Sequence, residues 1–571
     1  MVEKKTGGIK LFFLLGLVIL GRGFCAQAQD TTKRKTIEIT SSFKPVLRDA
    51  VKINFNAAPP VADTSRPRLT YTIPAQYLFL SYQPGEMKPV ALPGDTLKPW
   101  ENYNYIKVGV GNVALPFVQT GFSFGDGKTR SLNIFANQLN SKGSLPFQKN
   151  SLTDVKLMGT LKTANNQEWN GSLGFKNDEY YLYGFRPDTL KFTGSQLKQS
   201  FQTFEGKLSF RNTEPTEFGL VYHPNVQVDV FSDNFSSKAS ETNTVLNLPL
   251  EKSFGKTFGF NLGVTADLTH YTHVGGPNFP SSQNNNLYLV TPAFLVKTPN
   301  LYLQASVIPS WDNSDFHLLP NFVADISTND QRFTLLLGWL GHYDKGSYQR
   351  FESINPWLAQ PLVSSLGAGF PPLLNTRIQE WYAGFKGSLN SHFTYSAKAS
   401  FLEYKNMPLF VNDTTLDGGK RFDIRYETYM RAVQMHGEVS YIQGEDFSAT
   451  AGVNLINYSD LKTESKAWGL LPREFTANIK WQAFKDFWAK VDLFAFDGAQ
   501  YRSGDGAGGY TSFKGDGAVD LNAGVEMKIT RQLNLWFQMN NLFNKKYERW
   551  HQYQVYGFNV LGGIVFSFGQ K

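Results

Sequence analysis

The chain has 571 residues, a formal charge of +8, 50 glycines, 15% aromatic side chains and only 41% hydrophobic ones, with a mean hydropathy of −0.30. A helical membrane protein would be far more apolar, and a soluble enzyme of this length would show long stretches with apolar residues at i, i+3 and i+4. Neither pattern is present, the charge is too dilute for a nucleic-acid partner, and no block of five or more Lys/Arg occurs.

The first 28 residues read as a signal peptide. Lys4, Lys5 and Lys10 form a basic start, Leu11 to Leu20 an apolar run, and Ala26-Gln27-Ala28 a small-x-small cleavage site. The run is shorter than the roughly 20 residues a spanning helix needs. Cys25 lies within this segment and follows Arg22-Gly23-Phe24, which is a poor context for lipid attachment. It is the single cysteine, so the mature chain has no disulfide or thiol chemistry. Removing Lys4, Lys5, Lys10, Arg22 and Glu3 brings the charge to about +5.

Residues 29–100 are rich in proline, including Pro45, Pro59, Pro60, Pro67, Pro74, Pro84, Pro89, Pro93 and Pro99. That spacing forbids central strands and long helices. It predicts an extended periplasmic segment whose one strand-like piece is Thr36-Ile37-Glu38-Ile39-Thr40.

From Tyr103 onward one pattern repeats. Phe258, Phe260, Leu262, Val264, Ala266 and Leu268 alternate with Gly259, Asn261, Gly263, Thr265 and Asp267. Phe393 to Phe401 and Val519 to Ile529 alternate in the same way. Several runs reach the ~9–11 residues that cross a bilayer as a tilted strand. So many strands in lipid must close on themselves, because an open edge leaves backbone groups unpaired. The expected fold is all-β: a transmembrane antiparallel barrel over 101–571, with about 22 strands (range 18–22, even) at ~10 residues per strand and as many per connection.

Connections are expected to alternate in length. Gly125-Asp126-Gly127-Lys128 and Ser327-Thr328-Asn329-Asp330 have tight-turn chemistry. Long loops are expected at 186–200, 269–284, 343–376, 405–419 and 498–517. The 343–376 loop is unusually apolar (Trp357, Leu358, Leu362, Val363, Leu366, Phe370, Leu373, Leu374), which predicts that it folds into the barrel and supplies most of its occlusion.

Charges expected on inward faces include Lys107, Asp229, Asp267, Lys398, Glu438, Lys480, Lys490, Asp492, Asp520, Glu526 and Lys528. Both signs are present, as in an ordinary wet lumen. His270 and His273 lack a third ligand, and Asp312-Asn313-Ser314-Asp315 lacks the glycine and distal glutamate of a calcium loop. No nucleophile motif or phosphate loop appears, so no catalytic, cofactor or metal residue is assigned. Tyr180-Tyr181-Leu182-Tyr183 and Trp536 are expected in the aromatic girdles at the membrane surface.

Near the end, Asn541-Leu542-Phe543-Asn544-Lys545-Lys546-Tyr547 precedes a last strand that carries Gly562-Gly563 and the pair Phe566 and Phe568. These roughly thirty residues resemble the C-terminus of TonB-dependent outer-membrane receptors of the Bacteroidetes type. The resemblance implies a signal-bearing terminal strand (Phe566, Phe568) read by the barrel-assembly machinery, insertion among outer-membrane lipids, and solute binding or transport with no enzymatic step. It also implies that Thr36–Thr40 resembles the box that pairs with TonB. Two departures stand out. Tyr556-Gly557-Phe558 occupies the place of a Pro-Gly-Arg-like element, and the seventy-odd residues before the first strand do not look like the family's plug domain. A plugless barrel leaves a second function open, that of an accessory subunit in an outer-membrane assembly, secretion or surface-display complex.

Overall fold

The computed structural model describes residues 103–569 except 187–188, 236–237, 275–279, 362–372, 413–416 and 505–508. The expected signal peptide, the proline-rich segment with Thr36–Thr40, and Gln570-Lys571 lie outside the described residues.

One antiparallel sheet forms the barrel, and two small two-stranded ribbons lie in its loops. The sheet has 23 segments, but Leu220–Tyr222 and Asn225–Asp233 both pair with the same neighbour and form one stave broken at Pro224, which has no N–H to donate. The barrel therefore has 22 strands, as the repeat length predicts. In chain order they are β1 Tyr103–Gly111, β2 Ala114–Gly125, β3 Arg130–Lys142, β4 Lys149–Lys162, β5 Gln167–Tyr181, β6 Lys198–Asn212 and the broken β7. Then come β8 Lys238–Phe254, β9 Phe258–Val274, β10 Pro280–Lys297, β11 Leu301–Asp312, β12 Asp315–Ser327, β13 Phe333–Asp344 and β14 Thr376–Ser388. The last eight are β15 Phe393–Asn412, β16 Phe422–Gln443, β17 Phe447–Ser459, β18 Arg473–Phe484, β19 Phe487–Phe496, β20 Ala518–Lys528, β21 Leu533–Asn540 and β22 Asn559–Gly569. No described helix is long and apolar enough to cross a membrane, which says nothing of strands.

The ring closes where β1 pairs with β22, from Tyr103 opposite Gly569 to Gly111 opposite Leu561. Gly109 and Gly563 face each other at this seam. A Cβ on Gly563 would sit 1.9 Å from the Val108 carbonyl oxygen, and one on Gly109 would sit 2.5 Å from the Trp536 ring. Only glycine lets the two chain ends come together there.

Period-2 alternation sorts the faces as the sequence predicts. Phe258, Phe260, Val264, Met527, Leu535 and Phe537 are exposed on the outer wall. Inside, the Thr265 hydroxyl donates to the Asn247 side chain (2.8 Å), the Asn534 amide to Glu526 (2.7 Å), and Gln538 is buried. Inward charges meet their opposites: Lys398–Glu380 at 2.6 Å, Lys386–Asp325 at 3.1 Å and Lys490–Asp492 at 3.3 Å. Phe566 is exposed on the outer wall, and its ring lies 5.8 Å from that of Phe568.

Tight turns sit at the end where the described chain begins and finishes. In one, the Asp126 carboxylate accepts from the backbone N–H groups of Lys128, Thr129 and Arg130 at 2.8–3.0 Å. The Asp312–Asp315 segment is likewise a turn, at the opposite end. Two expected loops are corrected. Most of 269–284 is ladder, with β9 reaching Val274 and β10 starting at Pro280, and β15 continues through 405 to Asn412. Strands here outrun the apolar belt because their backbones stay paired and inward residues such as Tyr271, Leu409 and Val411 still find a core. The expected girdle role of Tyr180, Leu182, Tyr183 and Trp536 is also corrected. Tyr180, Leu182 and Trp536 are buried inside the barrel, and Tyr183 packs against the same core.

Candidate functional site

The largest buried cluster lies inside the barrel at the long-loop end, and loops from several walls build it. Its first contributor is the loop between β13 and β14. After a four-residue helix, α1 Gly194–Leu197, in the loop before β6, residues Tyr348–Ile354 form a second short helix, α2, capped by the Ser347 hydroxyl, which accepts from the Arg350 N–H at 3.1 Å. Tyr348, Phe351 and Leu358 are at most 2% exposed. The loop's ends are clasped together. The Asn285 amide donates to the Gly346 carbonyl (2.8 Å) and to Asn375 (2.9 Å), and the Gly346 N–H donates to Asn375 (3.0 Å). A Cβ on Gly346 would lie 2.0 Å from the Leu374 carbonyl oxygen, so glycine permits this crossing.

Two wall carboxylates receive the helix. Glu241 on β8 accepts from the backbone N–H groups of Tyr348 (2.6 Å) and Gln349 (3.2 Å), which places negative charge at the positive end of the helix. Asp233 on β7 accepts from the Tyr348 hydroxyl (2.6 Å) and the Gln360 amide (2.9 Å). Lys345 reaches the carbonyls of Asp267 and Asn285 and pairs with the Asp267 carboxylate at 3.2 Å. Burial nonetheless pulls the Lys345 ammonium below its ordinary range.

The second contributor is the loop between β21 and β22, which the resemblance motif opens. Asn541 and Asn544 have positive φ (49° and 51°), a conformation asparagine tolerates. The Asn541 amide ties Lys545 and Tyr556 by their carbonyls, both at 2.9 Å. Beyond it a small ribbon, Glu548–Trp550 with Tyr553–Gln554, turns inward. Its Tyr553 ring stacks on Trp357 at 3.9 Å and meets Tyr183 edge-on at 5.0 Å. Trp550 packs on Phe410 (5.5 Å) and Phe422 (5.4 Å). The Gln554 carbonyl accepts from the Tyr183 hydroxyl and the Gln148 amide, both at 2.8 Å.

These contacts cross the mouth. Strands β5 and β16 stand half-way round the ring from each other. Yet the Arg186 N–H, in the loop after β5, donates to the Gly418 carbonyl in the loop before β16 (2.8 Å). The cavity among Trp357, Tyr553, Tyr547, Arg549 and Gln148 is about 30 Å³, room for a few waters at about 10–15 Å³ each. As folded, this layer admits no solute through that cavity.

The expected inward fold of 343–376 is therefore seen in its described part, but that loop shares the closure with 541–558, for which no closing role is expected from the sequence. The aromatic density of Trp550, Tyr553 and Tyr556 was the signal, masked by the intervening Glu548, Arg549, His551 and Gln552. Among the described residues no group of three His, Cys, Asp or Glu is arranged to hold a metal. His270 instead sits 2.6 Å from the Asn284 side chain.

No family model and no curated protein matches the sequence. Solved structures do match. The pyoverdine outer membrane receptor FpvA of Pseudomonas aeruginosa PAO1 aligns with a TM-score of 0.61 at 10% identity, over 83% of this chain and 79% of that one. The siderophore receptor PiuA of Acinetobacter baumannii aligns with a TM-score of 0.62 at 9% identity, over 83% and 82%. The FrpB iron transporter of Neisseria meningitidis aligns with a TM-score of 0.61 at 10% identity, over 82% and 81%. The fold is that of the TonB-dependent receptor barrels. At these identities the likeness is one of architecture.

Proposed function

We propose that the chain is a receptor-type barrel that binds a solute at its loop-end mouth and passes it across the outer membrane. The observation that carries this reading is the layer of loops from opposite walls meeting at Trp357 and Tyr553 inside a barrel of receptor architecture. A permanent 22-strand lumen is too wide for its own side chains to fill, so closure by movable loops is what a regulated passage requires. Three pairs of inward charges neutralise each other, which fits a neutral or zwitterionic solute better than a strongly charged one. Energy coupling would run through Thr36–Thr40 as an added strand on TonB.

One observation favours the accessory-subunit reading: the small size of the cavity in the closing layer. Purification in mild detergent followed by reconstitution into planar bilayers separates the two. Conductance from the isolated chain, stimulated by a solute, supports passage. A silent chain that co-purifies with stoichiometric partners overturns it in favour of the accessory role.

A further inference from the structure

Helix α2 carries one acid that the docking contacts do not use. Glu352 lies one turn beyond Tyr348 on the same helix and is 6% exposed. Its carboxyl has no hydrogen-bond partner among the described residues. The charged groups around it come from four elements. Lys176 and Asp178 on β5 form a pair at 2.5 Å, and Asp233 on β7 holds the Tyr348 hydroxyl. On its own helix Arg350 is engaged by Asp344 at 2.9 Å, and Glu241 of β8 sits at the helix start. Both nearby cations, Lys176 and Arg350, are thus already paired, and the other neighbours are acids.

We propose that α2 is a latch on the loop-end closure, docked while Glu352 is neutral and released when Glu352 ionises. Docking demands that a carboxyl enter an apolar, acid-flanked site. In that site the charged form has little access to water and no hydrogen-bond partner, whereas the undocked helix returns it to solvent. Burial is the largest cause, Asp178 and Asp233 add to it, and Lys176 opposes it. Together they push Glu352 up from 4.5 to about 8. The sign follows from linkage. A raised carboxyl favours the docked state fully below the undocked value, and that advantage is lost as pH climbs from 4.5 to about 8, after which it is constant. Over that window the docked-to-released ratio falls by up to about tenfold per pH unit. The inference rests on the layer being the closure of the mouth.

The test uses cysteine accessibility, since the sole native cysteine is Cys25. Leu358→Cys reports the lid interior, where Leu358 is 0% exposed, and Ser314→Cys, on an exposed turn, corrects for the pH dependence of thiol labelling. A bulky maleimide is applied to each in proteoliposomes between pH 5 and 9. The corrected labelling of Leu358→Cys is expected to rise across pH 5–8 and level above. Adding Glu352→Gln should hold it low and flat, while Tyr348→Phe should raise it at every pH. Labelling that ignores pH, or an unchanged rise with Glu352→Gln, overturns the latch. If Glu352→Gln lowers barrel content, Asp178→Asn keeps the question open to decision: without Asp178 the docked value falls, so the rise must be smaller and level off at lower pH. Failure of the closure itself is seen separately, as unaltered conductance after removal of 351–374.

Discussion

Single residues divide into those that close the ring and those that close the mouth. Gly109 and Gly563 belong to the first group, since a Cβ on Gly563 would run into the Val108 carbonyl and one on Gly109 into the Trp536 ring. Gly563→Val should therefore prevent the β1–β22 pairing. Heat-modifiable migration on a gel would show loss of the folded band, and a normal folded band would contradict the seam geometry. Tyr553 belongs to the second group, being 1% exposed between Trp357 and Tyr183. Tyr553→Ala should weaken docking of the loop layer by about 3–5 kcal/mol while leaving the barrel folded. Limited proteolysis at the loop end, compared with intact barrel migration, reads the difference. On the outer wall, Leu262→Arg should cost about 2–4 kcal/mol in a bilayer if it lies near the midplane, and much less near an interface. Equal stability in chemical unfolding from liposomes would show that Leu262 does not face lipid.

Strands and loops were legible in the sequence to different degrees. The belt-level staves were plain because lipid outside and a wet interior impose opposite chemistry on alternate residues, as Leu262 and Asn261 show. Above the belt the outer face meets water, so Thr269, His270 and Thr272 of β9 and Gln283 and Asn284 of β10 carry no such contrast, and the ladder's continuation reads as loop. The β13–β14 loop announced itself through Trp357 and Leu358, which cannot dangle in water. The β21–β22 loop did not, because its aromatics are interleaved with charges that turn outward or find partners, as Arg549 does on the Gly469 carbonyl at 3.1 Å. The clasp of Asn285 on Asn375 was invisible, since it joins residues 90 positions apart. At this scale the last strand is also decisive. Truncation before Phe558 leaves β1 and β21 with one unpaired edge each, and each unsatisfied backbone group in lipid costs several kcal/mol. Outer-membrane fractionation should find almost none of that truncation, and normal levels would show that the seam is dispensable.

For the whole molecule, the central claim is that a 22-strand ring is closed at its loop end by its own loops folded inward. Paired inward charges add a corollary: once opened, the lumen should discriminate weakly between small cations and anions, with a permeability ratio within a few-fold of one. The most direct measurement is single-channel conductance in planar bilayers of the intact chain against a variant lacking 351–374, bridged by a short Gly-Ser linker. The intact chain should be closed or nearly so, and the variant should show large, long-lived steps. Equal conductance in the two would contradict closure by the loops.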